Sequence, residues 1–365
     1  HVSAVKSWGG GENHIENLCR ELEFISPDIN NTIICVKNGL FHEKLRQSNI
    51  KHTAVKLPFK MDPRFSMKIV DLCKSQKIDL LHIHDSTALT LCIMADHLAD
   101  LPPFIFSKKT TFPIRPRKQT LFKYNYEKII KILCVSEATK NMTAEMVLKP
   151  EKLTCIYHGT NVSSSASDIP FQLRAKLQLK ENTRIIGNIA NHTWPKDLET
   201  FIQTANEVIN IQNRKDIHFV QIGAYTNRTS SYLKMIKDLK LEDHVSLIGK
   251  IENASVLIPQ FDISLMTSKS EGIPQFIYES FLNKVPVIST EVGGISEIIE
   301  HDKNGLFADS GDYTKLAEFI IDLLKDEQKR SKFTTISYTL IHQKYTTQLM
   351  AQKTLHQYKT VLHGR

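Results

Sequence analysis

Short apolar runs alternate with stretches of helical periodicity along almost the whole chain. In the first half, apolar runs bounded by polar turns predict strands at HVSAV, NTIICV, DLLHIH, PFIFS and KILCVS. After the first of them, Ile15, Leu18, Leu22 and Ile25 recur at helical spacing. Alternating strands and helices predict a parallel sheet covered by helices on both faces.

The alternation weakens over YHGTNVSSSASDIPFQLRAKL (157–177), a serine-rich stretch with Gly and Pro, and then restarts. Further runs predict strands at RIIGNIA, HFVQIG, VSLIG, DISLMTS and VPVIST, and the last part of the chain shows only helical character. We therefore expect four parts: an N-terminal domain (1–162), a linker (163–182), a C-terminal domain (183–345) and a final helix that packs back toward the N-terminal domain (346–365).

Composition agrees with a two-domain globular protein. The chain has 365 residues, of which 41% are hydrophobic and 24% charged, as in ordinary soluble enzymes. No apolar run approaches the roughly 20 residues of a membrane-spanning helix. Because the chain opens with His1 inside a strand-like run, we expect a few residues to precede it, and a cleaved signal peptide stays open as an alternative.

Cysteine usage favours a reducing compartment. The 6 cysteines all lie in the first half, mostly within apolar runs such as TIICV and ILCVS, and none forms a C-x-x-C pair. We expect buried, reduced thiols of a cytoplasmic protein, not a disulfide framework or a zinc site.

Positive charge is concentrated in SKKTTFPIRPRKQTLFKYNYEKIIK (107–131), where aromatic residues lie among the basic ones. A solvated basic face is the ordinary interpretation of such a run. Contact with anionic lipid or with an anionic acceptor is the more specific one. Binding to nucleic acid is not expected, because no recognition module surrounds the segment.

Ligands of open α/β sheets bind beyond the carboxyl ends of the strands, so the loops that leave the predicted strands are candidate sites. The first is KSWGGGENHIE (6–16), whose glycines let a ligand approach the backbone and leave helix N–H groups for an anion. It matches neither G-x-G-x-x-G nor a P-loop. A binding loop and a plain tight turn both stay open.

The second loop is ANHTWPKDLETF (190–201), in which Lys196 stands where a helix is expected to begin. A cation is unfavourable at the positive end of a helix dipole unless an anion lies between them. The loop therefore predicts an anion site, with a surface lysine as the alternative.

The third loop lies in SKSEGIPQFIYES (268–280), where Glu271 and Glu279 flank a Gly-Ile-Pro turn. Pro274 suits the first turn of a helix, whose free N–H groups can bind phosphate. Glu279 follows about 7–8 Å along the helix axis. Its carboxylate could accept the hydrogen bonds of a ribose diol, while Glu271 would face the group on the other side of the phosphates. The spacing predicts a nucleoside diphosphate joined to a polar group.

The segment SEGIPQFIYES resembles the E-x7-E signature of retaining glycosyltransferases with the GT-B fold, in particular the large family-4 group. Further segments are similar to that family and follow one another in the family's order. They are SWGGGE, DLLHIHD (79–85), the Lys196 loop and VPVISTEVGGISEIIEHDKNGLF (285–307). The resemblance implies an α/β fold of two Rossmann-like parallel-sheet domains (GT-B) that face each other across a cleft. It also implies that the N-terminal domain lies on the acceptor side and that the C-terminal domain binds the nucleotide sugar.

The resemblance also implies residue roles. Glu279 would bind the donor ribose, Glu271 would hold hydroxyls of the transferred sugar, and Lys196 would neutralise the leaving diphosphate. His84, the second histidine of HIHD, would contact the transferred sugar, although a histidine at a strand end is by itself more typical of structure. Further donor contacts are implied for Ile273, Pro274, Gln275, Phe276, Gly223, Gly249 and Lys250, and a phosphate and acceptor loop for Gly10, Gly11 and Glu12.

One feature departs from the family. An arginine usually precedes the lysine, but here Asn191, His192 and Thr193 stand in that place. A neutral residue cannot replace a bidentate charged clamp. Either another basic residue reaches in, with Lys6, Lys108 and Lys109 as candidates, or the leaving group is stabilised less.

We therefore expect a retaining hexosyltransferase that moves a hexose or N-acetylhexosamine from a UDP-sugar to a saccharide or lipid-linked acceptor in surface polysaccharide synthesis. The family uses same-face attack without a covalent nucleophile, and without a D-x-D triplet no metal or other cofactor is expected. The basic segment favours a cytoplasmic protein with peripheral contact to the inner membrane face. Sugar-phosphate synthesis on a soluble acceptor and a non-catalytic partner subunit that binds a nucleotide sugar stay open as alternatives.

Overall fold

The computed structural model describes residues 1–110, 116–162 and 169–363, which form two compact units. The first unit comprises His1–Gly159 together with the C-terminal segment that begins at Thr346. The second unit comprises Thr160–Tyr345.

The first unit alternates strands with helices. Its strands are β1 (Ile33–Val36), β2 (His52–Val55), β3 (Leu81–Ile83), β4 (Phe104–Lys108), β5 (Ile129–Cys134) and β6 (Leu153–Cys155). Its helices are α1 (Gly10–Ile25), α2 (Leu40–Arg46), α3 (Pro63–Ser75), α4 (Ser86–Asp96), α5 (Lys118–Tyr124), α6 (Glu137–Ala144) and, at the end of the chain, α13 (Thr347–His363).

The opening residues complete the sheet of this unit. Its named strands pair in parallel in two groups, β1-β2 and β3-β4-β5-β6. Val2 forms parallel bridges to both Ile34 and Ile83, so the opening residues lie between β1 and β3. Since β1 and β2 extend to one side of them and β3 to β6 to the other, the strand order turns at this point, where an open α/β sheet offers its ligand crevice.

The second unit repeats the alternation. Its strands are β7 (Arg184–Ile189), β8 (Ile217–Ile222), β9 (Val245–Leu247), β10 (Ile263–Met266), β11 (Val287–Thr290) and β12 (Leu306–Ala308). Its helices are α7 (Leu173–Lys176), α8 (Leu198–Asn206), α9 (Thr229–Asp238), α10 (Gln275–Leu282), α11 (Tyr313–Lys325) and α12 (Glu327–Lys344).

The six strands of this unit form one parallel sheet in the order β12-β11-β10-β7-β8-β9. From β7 the chain builds outward through β8 and β9, and then returns to place β10 on the other side of β7. The strand order therefore turns between β7 and β10, and the loops that leave these two strands are the expected ligand site.

Each unit has its own apolar core, which explains why the strands read as continuous apolar runs. In the first unit, Phe104, Ile132 and Leu89 are fully buried together with residues from α3 and β3. In the second, Phe201 and Phe219 pack edge to face, with ring centroids 5.6 Å apart, between helix and sheet.

The structure differs from the expected boundaries around the linker. Residues 163–168 lie outside the described residues. The rest of the predicted linker belongs to the second unit, because Leu173 is fully buried and its N–H donates to Gln260 Oε1 at 2.7 Å. The helical tail divides at Tyr345, so α12 belongs to the second unit and α13 to the first.

The expectation of buried thiols is confirmed for five of the six cysteines, and Cys155 is partly exposed. Burial raises the pKa of the Cys19, Cys35 and Cys134 thiols to about 12. Among the described residues, no helix is both long enough and apolar enough to cross a bilayer.

Candidate active site

Two loops of the second unit meet where its strand order turns. They leave β7 and β10, and Lys269 joins them: its N–H donates to Pro195 O at 2.7 Å and its Nζ lies 2.8 Å from Asp197 Oδ1. Thr267 Oγ1 donates to Asp197 O at 3.1 Å. Because the Asp197 side chain is almost fully buried, this ion pair fixes the loops against each other.

Lys196 and Glu271 form an ion pair across these loops, with Nζ 2.5 Å from Oε1. Ser268 Oγ donates to the same carboxylate oxygen at 2.7 Å. The side chains keep 28% and 12% of their exposure, so both remain accessible to a ligand. The sequence predicted both residues as site residues, and the structure brings them into direct contact.

Helix α10 begins directly after this pair. Phe276, Ile277 and Phe281 bury its apolar face, while Pro274 precedes the first helical residue in an extended conformation. Pro274 thus lies one position outside the helix rather than in its first turn. Of the predicted donor residues, Ile273 and Pro274 precede α10, whereas Gln275 and Phe276 lie in its first turn, where N–H groups and the helix dipole favour an anion.

Glu279 lies on the second turn of α10, about 6 Å along the helix axis from Gln275. Within the described part of the chain, its carboxyl has neither a hydrogen-bond nor an ion-pair partner. Desolvation by the surrounding protein raises the pKa of this carboxyl to about 7. A carboxyl without a protein partner at this place is available to a ligand.

The other predicted donor-binding residues, Gly223, Gly249 and Lys250, follow strands β8 and β9. Gly223 directly follows β8 and packs against the end of β7 so closely that a Cβ there would lie 1.8 Å from Ala190 O. Its N–H donates to Gly249 O at 3.0 Å, which joins the ends of β8 and β9. On the surface, Lys250 Nζ lies 2.6 Å from Glu252 Oε1.

Neutral hydrogen bonds hold the loop in which the family has an arginine. His192 is fully buried and its ring bonds Thr229 Oγ1 at 2.8 Å and Gln221 Oε1 at 2.7 Å. Burial lowers the pKa of this imidazole, which keeps it neutral. Asn191 Oδ1 accepts from Ala224 N at 2.9 Å.

A second cation of this site escaped the sequence reasoning. Lys269 lies three positions after the end of β10, in the same loop as Glu271, and its place at a strand exit is the signal that could have identified it. Two of the expected substitutes for the arginine are engaged within the first unit. Lys108 Nζ donates to Thr110 O at 2.5 Å, and Lys109 Nζ donates to Gly11 O at 2.9 Å.

The remaining predicted residues lie where the strand order of the first unit turns. Helix α1 begins at Gly10, so Gly10, Gly11 and Glu12 form its first turn. Burial raises the pKa of the Glu12 carboxyl. His84 directly follows the neighbouring strand β3 and is buried. Its Nε2 lies 3.0 Å from Nδ1 of His1.

Asp85 fixes the end of β3. Its carboxylate accepts from Ala4 N at 2.7 Å and caps α4 through the N–H groups of Thr87 and Ala88. The motif HIHD is therefore built to place His84 at the carboxyl edge of the sheet. His84 Nδ1 is buried without a partner among the described residues, and burial holds the pKa of this imidazole well below its usual range.

Three imidazoles, of His1, His82 and His84, offer ligand atoms within 4.8 Å of one another and are the one such group of metal-ligand type in the described ranges. His82 bonds the Tyr358 hydroxyl at 2.5 Å and Ser107 Oγ at 2.7 Å through its two nitrogens. Because both nitrogens of His82 are occupied, the cluster is a hydrogen-bonded network rather than a ready metal centre.

The predicted site residues thus fall into two groups, each at the turn of the strand order of its own unit. The catalytic and donor-binding roles assigned to them remain predictions.

Two family models match the chain in succession. Residues 8–164 match Glycosyltransferase Family 4, and residues 171–339 match Glycosyl transferases group 1. Together the two models cover most of the chain.

Individual proteins agree with these models. The chain is 23% identical to N-acetyl-alpha-D-glucosaminyl L-malate synthase of Bacillus anthracis, over 83% of the chain and 79% of the relative. It is 22% identical to UDP-Gal:alpha-D-GlcNAc-diphosphoundecaprenol alpha-1,3-galactosyltransferase of Escherichia coli, over 73% and 71%. The crystal structure of Anabaena Alr3699/HepE in complex with UDP and glucose superposes with a TM-score of 0.84 at 19% identity, over 98% of both chains.

The order of the two matched domains and the shared architecture lead to one assignment. The chain belongs to the glycosyltransferases that join a Family 4 domain to a group 1 domain, and its two Rossmann-like parallel-sheet domains are those of the GT-B fold.

Proposed function

We propose that the chain is a retaining, metal-independent glycosyltransferase that transfers a hexose or N-acetylhexosamine from a UDP-sugar to a saccharide or lipid-linked acceptor in surface polysaccharide synthesis. The name of the Escherichia coli relative states UDP-Gal as donor and a diphosphoundecaprenol-linked acceptor. The Anabaena structure holds UDP and glucose. These relatives support the donor class and the type of acceptor.

One observation carries the proposal: the Lys196–Glu271 ion pair precedes helix α10, and the carboxyl of Glu279 on that helix has no partner among the residues that the structure describes. This arrangement provides a cation and helix N–H groups for a diphosphate, between two carboxylates for hydroxyl groups. Glu279 accepts from the ribose diol, and Glu271 accepts from hydroxyls of the transferred sugar.

The chemical step breaks the bond between the anomeric carbon and the phosphate oxygen. Positive charge develops on the sugar ring and negative charge on the departing UDP. Lys196 shifts from Glu271 to the diphosphate and stabilises the leaving charge, which is the largest contribution a prearranged site can make. Lys269, which pairs with Asp197, is the other cation of these loops and the candidate for the place of the family's arginine.

Retention follows from attack on the face that the leaving group vacates. The acceptor hydroxyl forms the new bond, and its proton passes to an oxygen of the departing phosphate. Glu271 is committed to sugar hydroxyls in this scheme, and no side chain acts as a covalent nucleophile. Because lysine and helix N–H groups supply the positive charge, the scheme needs no metal, which agrees with the lack of a D-x-D triplet.

The proposed location is cytoplasmic, with peripheral contact to the inner membrane face through the first unit. Phe122 and Leu148 are exposed by 55% and 84%, and Asn125 bonds both Met146 O and Leu148 N, which brings their segments together. Lys149 is exposed beside Leu148. Apolar side chains among basic ones suit an anionic membrane surface.

The structure changes which part of the basic segment can serve this contact. Lys108 is buried, and Lys128 pairs with Asp96 and Asp100. The notion of one uniform basic face over 107–131 therefore does not hold for these residues, and residues 111–115 lie outside the described residues. The proposed surface consists of Phe122, Leu148 and Lys149, and we call it the apolar–basic surface.

Donor turnover without an acceptor tests the proposal. The protein is incubated with UDP-glucose, UDP-galactose and UDP-N-acetylglucosamine in excess EDTA, and the released sugar is followed by proton NMR. We expect slow release of the α-anomer from one donor, reduced by about 10²-fold or more in Glu271→Ala. The matched control is Glu242→Ala, outside the site. First release of the β-anomer would contradict retention, and binding without any turnover would favour the non-catalytic alternative.

A further inference from the structure

Two histidines of the first unit are buried without using their hydrogen-bonding capacity. His14, on α1, and His158, after β6, are exposed by 8% and 7%. Their rings stack with centroids 4.3 Å apart. His14 Nδ1 and His158 Nε2 are buried without partners among the described residues. A buried polar atom without a partner costs free energy, so two adjacent ones indicate a place prepared for a ligand.

The positions of both rings are fixed by the fold. His14 lies one turn after the glycine-rich start of α1 and stands 6.3 Å, centroid to centroid, from His84. His158 precedes Gly159, where a Cβ would lie 2.4 Å from Thr346 O at the start of α13. The backbone of this segment therefore has no freedom to withdraw His158.

A cation faces the same place. Lys109 is partly buried, and its ammonium donates to Gly11 O, in the first turn of the helix that carries His14. Burial lowers the pKa of Lys109 to about 8 and that of His158 to about 3, and the charge of Lys109 disfavours protonation of both rings. The two imidazoles are thus neutral, and each keeps one N–H that can donate.

Two carboxylates, of Glu12 and Asp85, lie within electrostatic range of Lys109, and their charges partly offset the lowering of its pKa by burial. Asp85 is committed to three backbone N–H groups, and Glu12 forms no ion pair with Lys109 in the described ranges. One ammonium with two neutral imidazole donors, beside the first turn of a helix, matches the needs of an anion.

We propose that His14, His158 and Lys109 form a subsite for an anionic group, a carboxylate or a phosphate, that the acceptor carries close to the hydroxyl being glycosylated. The closeness follows from His84, which lies next to His14 and for which the family resemblance implies contact with the transferred sugar. The acceptor assignment rests on that proposed function, whereas the anion site itself rests on the three side chains.

The test uses the chain of 365 residues with 13C-labelled histidine rings. Signals of His14 and His158 are assigned with His14→Gln and His158→Gln. The protein is titrated with inorganic phosphate and, separately, with L-malate at constant ionic strength, and UDP binding is measured on the same preparation. We expect saturable shifts of both rings with at least one anion, and an affinity about tenfold lower in Lys109→Met. Lys68→Met, which removes a surface lysine paired with Asp71, is the matched control.

The two titrations distinguish a phosphate from a carboxylate on the acceptor. Shifts with phosphate alone assign a phosphate-bearing acceptor, and shifts with malate alone assign a carboxylate. Absence of shifts at both rings with either anion, while UDP still binds, overturns the subsite and leaves the proposed function in place. Ring shifts without any nucleotide binding overturn the proposed function, and with it the assignment to an acceptor.

Discussion

The carboxyl of Glu279 lies in surroundings that favour its neutral form. Its pKa is about 7 in the folded chain against 4.5 for an ordinary glutamate, because burial disfavours the charge. Between these pH values the folded state holds a proton that the unfolded state releases. The free energy of unfolding therefore falls as the pH rises from about 4.5 to about 7, and the full cost persists above that range.

Replacing this carboxyl is expected to stabilise the protein at the expense of binding. Glu279→Gln removes the charge and keeps the shape, so the free energy of unfolding of the second unit rises by about 1–3 kcal/mol at pH 8 and by less at pH 5. Denaturant titrations of both proteins at the two pH values measure the difference. A variant less stable than the wild type at pH 8 would show that the protein itself pairs this carboxylate.

Lys196 is expected to act on the rate rather than on affinity for the donor. Lys196→Met removes the charge that stabilises the departing diphosphate, so kcat falls by about 10²–10³-fold while KM changes little. Steady-state donor turnover measures both constants. The control is Lys234→Met, a surface lysine paired with Asp238. Equal kcat values for wild type and Lys196→Met would assign the leaving-group role elsewhere, with Lys269 as the next candidate.

At the scale of the elements, the site depends on how closely the strand exits approach each other. Gly223 has no room for a side chain, since the end of β7 passes directly over it. His192 bridges the same two exits through Thr229 and Gln221. These contacts, not the loop sequences alone, hold the Lys196 loop in place.

A methyl group at position 223 is therefore expected to separate the two exits. Gly223→Ala places Cβ 1.8 Å from Ala190 O, so backbone must move, at a cost of about 3 kcal/mol or more in the free energy of unfolding of the second unit. Gly9→Ala is the control, because its Cβ would meet its nearest atom, Glu12 Oε2, at 3.7 Å. Thermal unfolding of both variants measures this cost. An unchanged melting temperature in Gly223→Ala would contradict the close approach of Gly223 to Ala190.

The elements themselves were largely predictable because buried parallel strands read as continuous apolar runs. Strands β2, β6 and β12 escaped prediction, since HTAV, LTC and LFA are short and carry polar or half-exposed positions. The predicted linker (163–182) extends into the second unit, because one buried apolar residue, Leu173, is enough to anchor a polar stretch there. Single buried side chains of this kind leave little periodic signal.

The chemistry of the site was predictable by residue type and less by contact. Glu271, Glu279 and Lys196 follow from their places at strand exits and a helix start. Their contacts depend on the return of β10 to the side of β7, a long-range pairing that no local pattern specifies. For the same reason the sequence did not predict the pairing of His14 with His158, because three separate segments bring these residues together with Lys109.

At the scale of the whole molecule, the two matched domains divide the proposed tasks. The group 1 domain contains the proposed donor site, and the Family 4 domain contains His84, the anion subsite and the apolar–basic surface. A lipid-linked acceptor would reach the protein on the domain that carries this surface.

The apolar–basic surface is expected to bind anionic vesicles. The wild type should sediment with vesicles that contain phosphatidylglycerol and not with pure phosphatidylcholine, because apolar insertion and charge attraction act together. The double substitution Phe122→Ser and Leu148→Ser should weaken binding about tenfold or more. The control is Phe24→Ser, an exposed phenylalanine on α1. Equal sedimentation of all three proteins would exclude this surface as the contact.

We propose that α10 and the Lys196 loop bind a nucleoside diphosphate sugar, with Glu279 on the ribose. Calorimetric titration of the wild type and of Glu279→Ala with UDP, GDP, ADP and CMP measures this binding. We expect UDP to bind the wild type more tightly than the others do, and Glu279→Ala to weaken this binding about tenfold or more, since two hydrogen bonds to the carboxyl group are lost. Failure of all four nucleotides to bind, or equal UDP affinity in the two proteins, would contradict it.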